Sequence, residues 1–146
     1  MWYALLHVLH LLAAIGFIGV VFFQLVILAN VRQQLEPSAL PALEQALSVR
    51  TRAVLHWVVV MLYAAGIGLA WQYRQVLSAP LASSFATLLS LKIALALGVF
   101  VSYGALALLL RSGRMTPALY RQLHWLVLLQ MLAIVVLAKA MFYLHW

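Results

Sequence analysis

Five histidines, His7, His10, His56, His124 and His145, are the side chains of this sequence best suited to chemistry. A neutral imidazole keeps one nitrogen lone pair near physiological pH, so it can bind a metal or accept a proton. Beside them stand nine lysines and arginines, but only two acids, Glu36 and Glu44, and no cysteine. That inventory excludes a Ser-His-Asp triad, a carboxylate pair, thiolate metal ligation and a cysteine nucleophile. The short signatures of zinc peptidases, phosphate-binding loops and covalently attached heme are absent too.

Read as helices, the apolar runs sort these residues into two layers. His7 and His10 are three apart, on adjoining parts of one helix face. Lys92 and Tyr103 are eleven apart, which returns to the same face of a helix. With a rise of about 1.5 Å per residue, His10 lies roughly 13 Å from Met1, Lys139 lies a similar distance from the C-terminus, and Lys92 sits about two turns into its run. His7, His10, Lys92, Lys139 and His145 thus share one layer, with Trp71, Tyr73 and Arg74 at the same level. A second layer holds His56 and His124, each about one turn inside its run, beside Arg52 and Arg121. Two histidines at equal depth on helices running the same way are what two axial heme ligands require. Plainer roles stay open: the lysines can snorkel to the interface, His10 can bond a neighbouring helix, and His56 and His124 can join an aromatic belt with Trp57 and Trp125.

The elements that must carry these residues follow from composition. The chain is 68% hydrophobic and 8% charged, against about 25% charged in a soluble domain. Four runs, about residues 2–29, 53–73, 85–110 and 122–145, reach the roughly 20 residues that a bilayer core about 30 Å thick demands. Across residues 93–110 only Ser102 interrupts the apolar sequence, so no face is left for water. The ~10-residue alternating segments of a membrane β-barrel are missing. The expected fold is all-α, an integral membrane four-helix bundle forming a single domain over residues 1–146. The first run has no basic residue ahead of it and is too long for a cleaved signal peptide, so it is expected to stay as a span.

The net charge of +7 reads as topology signal rather than as a nucleic-acid surface. Arg32, Arg50 and Arg52 flank the first connection and Arg111, Arg114 and Arg121 the third, while Arg74 alone lies near the second. The positive-inside rule then sets the N- and C-termini on the outer, periplasmic side. Residues 33–48, with Leu40, Leu43 and Leu47 on one face, predict an amphipathic connection on the inner membrane surface. Ser78-Ala79-Pro80, Ser112-Gly113 and Thr116-Pro117 mark turns. Ala13, Gly16 and Gly19, with Ala64, Ala65, Gly66, Gly68 and Ala70, allow close helix approach, and a flat cofactor needs the same kind of slot. An ionisable group in a span costs on the order of 2.5 to 3.5 kcal/mol. With no acid in any span, Lys92 and Lys139 call for an anionic ligand, bound water or a neutral amine.

The stretch His10-Leu11-Leu12-Ala13-Ala14-Ile15-Gly16-Phe17-Ile18-Gly19 resembles the first helix of CopD-like membrane proteins and of the related HemJ-type protoporphyrinogen oxidases, with Phe17 where that family usually has tryptophan. Leu89-Ser90-Leu91-Lys92-Ile93-Ala94-Leu95 is similar to the lysine-bearing third helix of the HemJ type. Leu132-Ala133-Ile134-Val135-Val136-Leu137-Ala138-Lys139 is similar to its last helix, with Lys139 offset by about two positions. The resemblance implies a heme b or porphyrin held in the bundle, with His10 and Lys92 at the family's histidine and lysine. It implies cytochrome b-like electron transfer, or porphyrin or quinol oxidation, in a bacterial inner membrane. The expected site comprises His10, His7, His145, His56 and His124 as candidate iron ligands, with Lys92, Lys139, Arg74, Tyr103, Gly16 and Gly19 around the cofactor. Copper, bound or transported, is the alternative that the CopD likeness suggests. Expected partners are the lipid bilayer, a second copy of the chain as a dimer, and a quinone or porphyrin substrate, with no nucleic acid.

Overall fold

In a hydrocarbon environment every backbone N–H and C=O must pair within the protein, and a helix does so within one segment. The computed structural model, in which residues 1–144 are described, has four helices long and apolar enough to cross a membrane. They are α1 (Trp2–Gln34), α2 (Leu40–Gln72), α3 (Ser84–Arg111) and α4 (Pro117–Tyr143). A single helical turn, Arg74–Leu77, lies between α2 and α3, and no strand occurs among the described residues. The all-α, four-span architecture expected from the apolar runs is therefore present. The chain divides into two compact units, Met1–Gln72 and the residues from Tyr73 onward.

In the first unit α1 and α2 pack together with their small residues at the seam. A methyl group built on Gly68 would lie 3.1 Å from Leu6, one on Gly66 3.1 Å from His10, and one on Gly16 3.8 Å from Val58. Partners descend on α2 as they ascend on α1, so the pair is antiparallel. α2 departs from the expected separate surface helix: residues 40–48 form the opening turns of one continuous 33-residue helix. No glycine or proline follows Pro41 until Gly66, and Pro41 sits in the first turn, where proline is tolerated. Arg32 Nε, near the end of α1, lies 3.6 Å from Glu44 Oε1 on this extension. Within α1, residues Phe23–Ile27 form a wider turn in which the Leu28 N–H reaches the Phe23 carbonyl. Asn30 Nδ2 donates to the Val26 carbonyl at 2.8 Å, where the hydrogen-bond register changes.

The second unit is a hairpin of α3 and α4 whose ends carry local signals. Ser83 caps α3, its Oγ accepting from the Ala86 N–H at 3.2 Å. Thr116 caps α4 in the same way through the Leu119 N–H at 3.2 Å, with Pro117 at the first position. α3 stops at Gly113, which has φ +66°. There the Gly113 N–H donates to the Leu110 carbonyl at 3.4 Å, and the Arg114 N–H to that of Leu109 at 3.2 Å. This is the paired reverse bonding of a left-handed glycine stop. Leu88 and Leu89 on α3 cluster with Met141 on α4, surrounded by Tyr73, Val76, Leu77 and Phe85. Further along, Ser102 Oγ donates to Gln130 Oε1 at 3.4 Å, and Gly98 leaves room for the Gln130 amide.

Candidate functional site

His10 is half-buried, and its ring is held by a neighbouring helix. Its Nδ1 lies 2.9 Å from the backbone carbonyl of Leu62 on α2. A carbonyl only accepts, so Nδ1 carries a proton, and in the neutral form of the ring the lone pair lies on Nε2. That is the arrangement in which protein histidines bind metals: one ring nitrogen donates to a carbonyl and so fixes the orientation and tautomer of the other. The approach depends on Gly66, one turn after Leu62. A Cβ there would come within 3.1 Å of His10 Cε1 and 3.3 Å of Nδ1. The small-residue run of α2 pointed to close packing; its service to His10 requires the antiparallel register of the two helices. Nothing in the sequence marks Leu62 itself, because its backbone oxygen makes the contact.

The other first-unit candidates are arranged differently. His7 Nδ1 is 3.3 Å from the Tyr3 carbonyl on its own helix, and its ring meets Tyr3 edge-on at 4.5 Å. It is exposed on the protein surface, as is His56, whose ring lies at 5.9 Å from Trp57. Gly16 makes an ordinary contact with Val58, and a methyl at Gly19 would meet nothing within 4 Å. Gly16 is therefore a packing position, whereas Gly19 borders open space.

In the second unit, Leu88 and Leu89 opposite Met141, and Gly98 and Ser102 opposite Gln130, set the hairpin register. That register brings Lys92 and Lys139 to one level of the hairpin, as helical rise alone suggested. Lys92 is half-buried and Lys139 exposed. Among the described residues no hydrogen bond or ion pair involves Lys92. Tyr103 shares its face of α3 but stands about 16 Å further along by helical rise, and Arg74 is exposed in the turn before α3. His124 is buried; its Nδ1 donates to the Tyr120 carbonyl at 2.9 Å and its ring lies 4.0 Å from that of Tyr120. The tautomer of His124 is thus fixed within its own helix, whereas that of His10 is fixed by a neighbouring one. His145 lies outside the described residues. The Gln130–Ser102 contact is an interhelical polar pair that no motif announced, although a lone amide in mid-span is its signal.

Among the described residues, no three His, Cys, Asp or Glu side chains come together as a metal-binding group. Comparison of the chain with protein-family models, characterised proteins and solved structures finds no match.

Proposed function

We propose that the chain is a heme b-binding integral membrane protein in which the Nε2 of His10 is an axial iron ligand. The observation that carries this is the hydrogen bond from His10 Nδ1 to the Leu62 carbonyl, which orients the ring and assigns the lone pair to Nε2. Interhelical packing alone would be served by many small side chains; a glycine shaped around an oriented imidazole suits ligation. The donor set favours heme over a bare copper ion. A porphyrin brings four nitrogens of its own and asks the protein for one or two more, whereas copper without it needs a group of protein donors. Lys92, in a unit whose sequence has no Asp or Glu, calls for an anionic partner of its own.

When bound, heme b supplies one-electron chemistry at iron; the chain's part is to ligate, orient and surround it with apolar side chains that tune its potential. Electron transfer in the bilayer, or oxidation of a porphyrin or quinol, is the activity this supports, in keeping with the CopD-like and HemJ-type resemblance. The proposed setting is a bacterial inner membrane, with both termini on the outer side.

The test is the absorption spectrum of the purified protein, oxidised and after dithionite, for wild type and for His10→Ala, His56→Ala and His124→Ala. Soret and α bands that sharpen on reduction, and that vanish only in His10→Ala, are expected. Full heme in His10→Ala with loss in both other variants would move the ligand pair to His56 and His124. A colourless protein with stoichiometric copper overturns the proposal.

A further inference from the structure

Charge is unevenly shared along this chain. Six of its nine lysines and arginines lie in the second unit, and both glutamates lie in the first. Three of the six, Arg111, Arg114 and Arg121, bracket the turn between α3 and α4, and all three are exposed. In the first unit Arg32 stands 3.6 Å from Glu44. The α3–α4 turn has no such acid in its own unit, and among the described residues its three guanidiniums make no ion pair.

The turn is also well ordered by its backbone. The Gly113 stop folds Arg114 back onto Leu109, and the Thr116 cap starts the helix that carries Arg121. Next to Arg111 the surface becomes aliphatic at once, with Leu108 69% and Leu110 50% exposed. One turn beyond Arg121 on the same face, Trp125 is 43% exposed; indoles favour the membrane interface. On α3 the exposed leucines follow Arg111 directly, and on α4 Trp125 lies one turn beyond Arg121, so cations stand at the turn and apolar side chains lie below them, as phosphate stands above acyl chain. A guanidinium matches phosphate oxygens with two parallel hydrogen bonds. A zwitterionic headgroup brings a cation of its own, so three unmatched arginines select a lipid with net negative charge.

We propose that the α3–α4 turn binds the headgroup phosphate of an anionic phospholipid through Arg111, Arg114 and Arg121, with acyl chains against Leu108, Leu110 and Trp125. The full-length protein in mild detergent is titrated with phosphatidylglycerol or phosphatidylcholine, and retained lipid is counted by native mass spectrometry. Phosphatidylglycerol should be retained preferentially. The triple variant Arg111→Gln, Arg114→Gln, Arg121→Gln should weaken it roughly a hundredfold, and Arg114→Gln alone roughly fivefold. The single variant keeps the test decisive if the triple variant inserts poorly. Arg50→Gln with Arg52→Gln, in the first unit, should leave this binding near wild type. Equal retention of the two lipids, or undiminished retention by Arg114→Gln and the triple variant, overturns the proposal. Displacement of the lipid by millimolar inorganic phosphate would also overturn it, assigning the arginines to a free anion.

Discussion

A methyl group at Gly66 would meet the His10 imidazole at 3.1 Å, while one at Gly19 would meet nothing within 4 Å. These glycines, both in runs of small residues, are therefore expected to respond oppositely to substitution. Gly66→Ala presses on the ring by a few tenths of an ångström and should strain its bond to the Leu62 carbonyl, and overpacking of this kind costs about 1 kcal/mol. Reversible unfolding in mixed detergent should show that loss, and the Soret band of the purified variant should weaken or shift. Gly19→Ala should leave stability unchanged or slightly raised, since alanine is the better helix former. Stability of Gly66→Ala equal to wild type would mean that the imidazole has room to yield. Lys92 is tested at the same scale. Lys92→Met keeps the length and apolar stem but removes the charge, so cofactor retention should fall several-fold if an anionic group meets the amine. Unchanged heme content would return Lys92 to snorkelling.

The turn between α3 and α4 is legible in the amino-acid sequence because its signals are local. Ser112-Gly113 and Thr116-Pro117 act within a few residues of themselves, and both behave as their chemistry requires. Gly113→Ala forces a Cβ into the left-handed region and should cost about 1 kcal/mol in the same unfolding measurement; a neutral result would mean that the turn has an alternative conformation. The extension of α2 is harder to read. Leu40, Leu43 and Leu47 have the spacing of a surface-lying helix, yet residues 40–48 share one axis with the span that follows. Periodicity describes a face, and whether a helix bends between two faces depends on a breaker that this stretch lacks. The Arg32–Glu44 pair is partly exposed at 3.6 Å, so Glu44→Gln should change stability by less than about 1 kcal/mol.

For the molecule as a whole, the distribution of arginine governs orientation. Six arginines flank the first and third connections and one lies near the second, which should hold both termini on the outer side. A C-terminal alkaline phosphatase fusion is expected to be active and a green fluorescent protein fusion at the same point dark. The reverse pattern would invert the topology and put His10 at the inner end of α1.

What the sequence determined by itself is the class of the protein and the turn between α3 and α4. Runs without polar residues leave the backbone only the helix in lipid, and caps, prolines and a left-handed glycine act over a turn or less. Helical rise alone likewise puts Lys92 and Lys139 at one depth. Tertiary structure decided what each polar group meets. The partner of His10 is a backbone oxygen 52 positions away, and that of Ser102 is an amide 28 positions away. Neither distance is encoded in any local pattern. Both pairs exist because two apolar helices settle in one antiparallel register, and that register is set by where small residues let the backbones approach.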